Sequence, residues 1–564
     1  MSCNHGIIIK KTKSELVKNN NEKKEPTIHP QYRLIFMMKS LINCSWITLL
    51  SLFRILPSCW GGIPAPADFF ADQLIDHLDT NAKRWTQRYY VWEDSFQGPG
   101  SPIFLILGGE GEITPEKGLL YPAVTHYMAP YLGAFVLQPE HRFYGVSQPI
   151  TREEIEQRSR DNQRDPRIDL LTTEQALMDA IRLLHHVQDR LGCSRQPDDP
   201  TYCPVIAVGG SYPGFMSAMA RMRFPESIDM AYAASAPMLF YAQLVPSPAY
   251  YQHITRVAEQ ALPGCAAAVQ MTLSNVQSFY QHQNFRNTAH LIGICPGTIP
   301  SYIQDSKTFL EEVIMMVAYT FANHNMGYYP PSNTTDLYQS CSAFMSKEES
   351  EHMSISSSLH RLQQFLVQSL AGPINQCVDM REQLPDGPRA TITGGDWSGD
   401  GTGAAADSWD FQTCTLLVER ISFEGSMFPD RPWSLEWLQE HCARRFVGVT
   451  PRPTELFEKW RWLDFNQTSW ILFTNGLLDG WSVSGILNNI SDDILVINFP
   501  TGAHHSDLSG HIPDPQYDTP DILDGLKRIR HILAGWLDDR RRDFIARSED
   551  ASNIYQGIEI ALIE

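Results

Sequence analysis

Four stretches constrain the fold most: "PIFLILGGEGE" (102–112), "GAFVLQPEHRFYG" (133–145), "PVIAVGGSYPG" (204–214) and "MAYAASAPM" (230–238) are near-continuous apolar runs ending in Gly, Pro or charged residues. A strand apolar on both faces is buried on both, as in a parallel sheet covered by helices. Between the second and third runs, "TTEQALMDAIRLLHHVQDRLG" (172–192) places Ala176, Leu177, Ala180, Ile181, Leu183 and Leu184 on one face and opens with a capping signal. That predicts an amphipathic helix. Strand and helix in alternation predict a doubly wound α/β domain with a mostly parallel sheet.

The alternation then stops. From about 240 to 430 the pattern is helix and loop, with "YYQHITRVAEQALPGCAAAVQMTLSNVQSFYQ" and "SKTFLEEVIMMVAYTFANHN" helical in period. It returns at "SWILFTNGLLDGW" (469–481) and "DILVINFPTGAHHSDL" (493–508), followed by a terminal helix, "PDILDGLKRIRHILAGWLDDRRRDF". The expected layout is a leader with a signal or anchor (1–61), a first α/β part (62–239), an inserted helical cap (240–430), a second α/β part (431–540) and a charged tail (541–564).

The segment from Met37 to Gly62 reads as a secretory signal peptide, with Lys39 ahead of an apolar run from Leu41 to Leu56 and small residues after it. The run falls short of the roughly 18 residues of a membrane span and contains Asn43 and Arg54. The polar leader before it, "KKTKSELVKNNNEKKEP", leaves two options: translation from Met37 or Met38, or an internal signal or anchor. Beyond this segment lie eight cysteines, Cys193, Cys203, Cys265, Cys295, Cys341, Cys377, Cys414 and Cys442, with no C-x-x-C pair. An even set of this kind fits four disulfides in an oxidising compartment, five of the eight pinning the cap. Asn333, Asn466 and Asn489 head N-x-[ST] glycosylation sites. The net charge is −19, and the first 61 residues hold nine Lys/Arg against three Asp/Glu, so the remainder is more acidic still. That argues against nucleic acid as a partner.

Ser211 lies in "VGGSYPGFM", at a strand-to-helix turn, where G-x-S-x-G marks a nucleophile elbow. Pro213 departs from the motif. A proline near a helix start loses only an N–H that would be unbonded there, and the N–H of Tyr212 remains as an oxyanion donor. The cost is steric, at Tyr212 and beside the strand. An elbow serine needs a base and an acid, and the order Ser, Asp, His with each after a strand places Asp479 after "WILFTN" and His504 or His505 after "ILVINF". On spacing alone either histidine fits.

"LILGGEGEI", "EHRFYGVSQP", "LTTEQAL", "VGGSYPGFMSAMARMRFP", "WDFQTCT", "NGLLDGW" and "GAHHSDL" together resemble the S28 serine peptidases, in order, from about Leu74 to Leu537. That family includes prolylcarboxypeptidase, dipeptidyl peptidase 7 and thymus-specific serine protease, and "GGEG" and "EHRFYG" look nearest to the thymus-specific branch. The resemblance implies an α/β-hydrolase core with a helical cap and the triad Ser211, Asp479 and His504. It also implies peptide substrates with a preference for bonds after proline, no cofactor or metal, and a possible homodimer. Trp481 matches an aromatic of the family and would line the pocket. Tyr212 and Gly109 are the expected oxyanion donors, and Glu110 and His505 are further pocket candidates. Secreted or lysosomal residence follows from the signal segment. An esterase on the same fold and a catalytically inactive peptide-binding relative stand as alternatives.

Overall fold

A computed structural model describes residues 62–561 except 80, 82, 346–353, 372–374, 384–405 and 509. The leader and apolar segment at 1–61 lie outside the described residues. The strands are β1 (Asp68–Leu74), β2 (Arg84–Trp92), β3 (Ile103–Ile106), β4 (Phe135–Pro139), β5 (Val205–Gly210), β6 (Met230–Ala234), β7 (Ile471–Gly476) and β8 (Ile494–Phe499). They form one sheet in the order β1-β2-β4-β3-β5-β6-β7-β8. The β1/β2 and β2/β4 pairs are antiparallel and the rest parallel, for example Val208↔Tyr232 and Ala233↔Phe473. This is an α/β-hydrolase sheet. All six strands read from the apolar runs are present.

The reason for the continuous apolar runs is visible in the packing. Ile103, Leu105, Val205 and Ala207 face one core, shared with helix α1 (Thr173–Leu191), whereas Phe104, Ile106, Ile206 and Val208 face a second core on the opposite side. Thr172 caps α1 by accepting from the Gln175 N–H. Helix α2 (Tyr212–Arg223) follows β5. The edge hairpin β1/β2 is absent from the sequence reading, because its polar residues Asp68, Asp72, Arg84 and Gln87 break the apolar signal on a strand pair at the sheet margin.

Between β6 and β7 lie helices α3 (Ala249–Ala261), α4 (Cys265–Tyr280), α5 (Ser306–Met326), α6 (Asp336–Phe344), α7 (Ile355–Leu370), α8 (Ala406–Thr413) and α9 (Leu435–Arg445). Most of them share a core of their own around Val269, Val317, Phe321, Leu337 and Phe365. The apolar run spanning α3 and α4 is two helices rather than one: Pro263 cannot continue α3, and Gly264 takes φ +91° ahead of α4. A last helix, α10 (Pro520–Ala561), packs Ile522, Leu526, Ile529 and Leu533 on the second face of the sheet and continues beyond the stretch read as helical.

The eight cysteines form four disulfides: Cys193–Cys203, Cys265–Cys341, Cys295–Cys377 and Cys414–Cys442. Two staple the helical insertion internally, and the fourth crosses the boundary drawn at 430. Loop-closure entropy grows with the enclosed length, so the Cys265–Cys341 bond, with a separation of 76 residues, should stabilise by about 4 kcal/mol and Cys193–Cys203, with a separation of 10, by about 3 kcal/mol. The paired Cys265→Ser and Cys341→Ser variant is therefore expected to lower the thermal midpoint more than the paired Cys193→Ser and Cys203→Ser variant. Calorimetry checks the order.

Candidate active site

Ser211 is the hinge between β5 and α2, with φ 63° and ψ −131°. Such a backbone costs about 1–3 kcal/mol in a non-glycine residue and persists only where its surroundings over-determine it. Here the Ser211 N–H donates to the Ala234 carbonyl (2.9 Å), and the Ser211 carbonyl accepts from the Phe215 N–H (3.0 Å). The neighbouring glycines are sterically required. A Cβ on Gly209 would lie 2.3 Å from the Pro213 backbone, and one on Gly214 2.5 Å from the Ala234 oxygen. Pro213 is the second residue of α2, and its ring lies against the loop after β3, where a Cβ on Gly109 would sit 2.6 Å from Pro213 Cγ. The bulk of the proline is thus accommodated by one glycine on β5 and another on the facing loop. The Tyr212 N–H, first in α2, has no acceptor within the helix.

Asp479 follows β7 and His504 follows β8, and both are buried. His504 Nδ1 donates to Asp479 Oδ2 at 2.6 Å, which leaves Nε2 as the ring nitrogen turned away from the carboxylate. Asp479 Oδ1 accepts from the Trp481 N–H (3.0 Å), so both carboxylate oxygens are engaged. The next ring is fixed differently. The His505 N–H donates to Ser235 Oγ (2.9 Å), and its side chain covers Gly210, where a Cβ would come within 2.7 Å of the imidazole. The histidine loop therefore lies directly over the elbow, with the two imidazole centroids 4.6 Å apart. Burial, aided by His504, holds His505 well below the usual histidine range, so its ring is neutral.

Buried polar networks hold these loops, and they give the "EHRFYG" and "WDFQTCT" stretches a structural role. Glu140 accepts from Arg88 (2.5 Å), the Ile113 N–H (2.9 Å) and the Ser147 N–H (3.1 Å), thereby fixing the far end of the 108–113 loop. Gly145, at φ +54°, is needed because a Cβ there would strike Glu140. Arg142 pairs with both oxygens of Asp179 on α1, at 2.6 and 2.7 Å. Beneath the elbow, the Tyr212 phenol accepts from Gln412 Nε2 (3.2 Å) and contacts His141 Nε2 and Thr173 Oγ1 (both 3.3 Å), while Gln412 Oε1 accepts from the Tyr144 hydroxyl (2.6 Å). His141 Nδ1 donates to the Arg142 carbonyl. Sequence reasoning missed Glu140, Gln412 and His141 as supports; the quoted motifs were the only signal.

Of the pocket candidates, Trp481 packs against Tyr250 (4.8 Å between centroids) and Phe240 (5.6 Å), with His504 at 6.3 Å. Glu110 lies at the mouth of the loop after β3, half-buried, and its charge acts on both Tyr121 and Tyr212. Asn333, Asn466 and Asn489 are exposed. Asp410, Cys414 and His441 cluster closely enough to suggest a metal, but Cys414 is disulfide-bonded and Asp410 binds Arg445 at 2.7 Å, a donor set already committed. No helix among the described residues is long and apolar enough to cross a membrane.

An α/β-hydrolase sheet with a strained serine at the end of β5 and an Asp–His pair after β7 and β8 defines the class of serine hydrolases. The family model described as "Serine carboxypeptidase S28" matches residues 73–525, and the chain belongs to that family; it is a serine-type peptidase. It is 27% identical to the lysosomal Pro-X carboxypeptidase of Pongo abelii over 534 residues, covering 90% of this chain and 97% of the relative. The Homo sapiens protein of that name is also 27% identical, with 84% and 91% covered. The thymus-specific serine protease of Homo sapiens is 25% identical, with 85% and 88% covered.

Two outcomes follow from this geometry. Burial pushes His141 down to about 4 from 6.5. Between those values the unfolded chain binds a proton that the folded chain does not, so stability falls as the pH drops, by up to about 3 kcal/mol for this group. The fall in thermal midpoint from pH 6.5 to pH 4 should be smaller in His141→Gln than in wild type, and equal falls would contradict this. Separately, Gly109→Ala is expected to cut turnover by about 10-fold or more by forcing the loop off Pro213. Adding Pro213→Ala, which removes the clashing ring atoms, should restore a large part of the loss, as steady-state kinetics on the single and double variants will measure.

Proposed function

We propose that this serine-type peptidase is an exopeptidase that cleaves peptide bonds after proline, with Ser211 as nucleophile, His504 as general base and Asp479 as the acid that orients it. The carrying observation is the 2.6 Å hydrogen bond between His504 Nδ1 and Asp479 Oδ2, made between loops that follow adjacent strands, the histidine loop lying against Gly210 beside the strained serine. The bond fixes the tautomer and directs Nε2 away from the carboxylate, as a base for a serine hydroxyl requires.

In this reading Ser211 Oγ attacks the substrate carbonyl while His504 Nε2 takes its proton, and the imidazolium is stabilised by Asp479. The oxyanion is met by the N–H of Tyr212 and that of Gly109. His504 then protonates the leaving amine, the acyl-enzyme forms, and a water deprotonated by His504 releases the acid. Trp481, Glu110 and His505 are proposed to line the pocket. Support for proline comes from the Pro-X carboxypeptidases, which match almost end to end. Their name also supports a lysosomal site reached by the secretory route, where Asn333, Asn466 and Asn489 would be glycosylation acceptors. The cap at 240–430 would close over the site.

The test is direct. A fluorophosphonate should label the wild type and not Ser211→Ala. A library of peptides with internal, penultimate and N-terminal-second prolines, incubated at pH 5 and pH 7 and read by mass, should show cleavage after proline one or two residues from an end. Products that persist in Ser211→Ala, or cleavage only of simple esters, would overturn the assignment.

A further inference from the structure

Asn325 sits in the last turn of the insertion helix α5, wholly buried, yet both polar atoms of its side chain serve the loop that carries Asp479. Its Oδ1 accepts from the Gly480 N–H at 2.7 Å, and its Nδ2 donates to the Leu478 carbonyl at 2.8 Å. The peptide groups on either side of Asp479 are therefore clamped by one amide. Gly480 is shaped for this approach, since a Cβ there would come within 3.0 Å of Tyr250 and Ile254 and 3.3 Å of the Asn325 oxygen. The next residue reaches the other loop. The Met326 carbonyl accepts from the His504 N–H (3.2 Å), and Met326 Sδ accepts from Trp481 Nε1 (3.3 Å). Three residues on, the Tyr329 hydroxyl accepts from the Thr519 N–H (3.0 Å) and donates to Asp518 (2.9 Å), behind the histidine loop.

From this we infer that Asn325 is a positioning residue for the Asp479–His504 pair, and that the end of α5 holds the acid and base loops in register from the cap side. The inference rests on the proposed triad. The core strands bring the two loops to the same sheet edge and hold part of each, the Leu478 N–H bonding the Gly502 carbonyl and the His505 N–H bonding Ser235 Oγ. The insertion supplies further hydrogen-bond partners, and with them the alignment of carboxylate and imidazole on which the proton transfer depends. A cap that shifted by an ångström at this helix end would misalign the pair, so closure of the cap and competence of the base are linked.

The experiment compares wild type, Ser211→Ala, Asn325→Ala and Asn325→Asp on one proline peptide, with the folded fraction of each measured by circular dichroism. Asn325→Ala should lower kcat by about 10- to 100-fold with KM changed by about twofold or less. In Asn325→Asp a neutral carboxyl can replace both contacts, donating to the Leu478 carbonyl and accepting from the Gly480 N–H, whereas an ionised one opposes that carbonyl. The kcat ratio of Asn325→Asp to wild type should therefore fall as the pH rises from about 5 to about 7. A kcat for Asn325→Ala within about twofold of wild type per folded molecule, or a pH-independent ratio for Asn325→Asp, would overturn the inference. Should Asn325→Ala not fold, the pH course of Asn325→Asp decides. Wild-type activity that survives Ser211→Ala would instead remove the triad reading beneath it.

Discussion

Burial of the central sheet on both faces governs where anything polar can go. With Phe104, Ile106, Ile206 and Val208 in one core and Leu105, Val205 and Ala207 in the other, strands β3 and β5 have no solvent face on which to place a charged side chain. The available positions are the strand ends, and the parallel strands have their ends on the same edge. Ser211, Asp479 and His504 each stand one to five residues past a strand end for that reason. The penalty for leaving loops with unsatisfied backbone groups at such an edge is large, which accounts for the density of side chains that hydrogen-bond main-chain atoms around it: Glu140, Asn325, Tyr121 and Ser235.

Strands buried on both faces were legible because their apolar runs are continuous, and the order of elements then placed the serine, the aspartate and the histidine. The edge strand β1 and its partner β2 were not, since half-polar strands such as "DFFADQL" carry no distinct period. The choice between His504 and His505 was also closed to spacing. The structure separates them by what each ring meets: Asp479 for the first, Gly210 and Tyr121 for the second. Asn325 left no trace in the sequence, because its role exists only once the insertion helix has been folded back onto loops more than 150 residues away. Cysteine pairing was hidden for the same reason.

Two histidines near the site, His141 and the partly buried His253, are shifted toward the neutral form and hydrogen-bonded through the ring. His141 donates to the Arg142 carbonyl, and His253 Nε2 donates to the Leu477 carbonyl while its Nδ1 accepts from Arg256. Burial depresses both, which favours well-defined tautomers over charge. The disulfides act in the opposite direction on stability, restricting the unfolded chain whatever the pH.

The place of the insertion in the chain has a consequence for biosynthesis. Strand β6 pairs with β7, Ala231 against Ile471 through Ala234 against Thr474, yet the whole helical insertion is made between them. A chain made only as far as the insertion would present β6 with an unpaired edge until β7 is available to pair with it. Ser211 precedes the insertion and His504 follows it, so on the proposed reading a chain made only as far as β6 would hold the serine without its histidine. In the proposed triad, the acid and base loops reach the serine only through strands that pair onto β6 from the far side of the insertion.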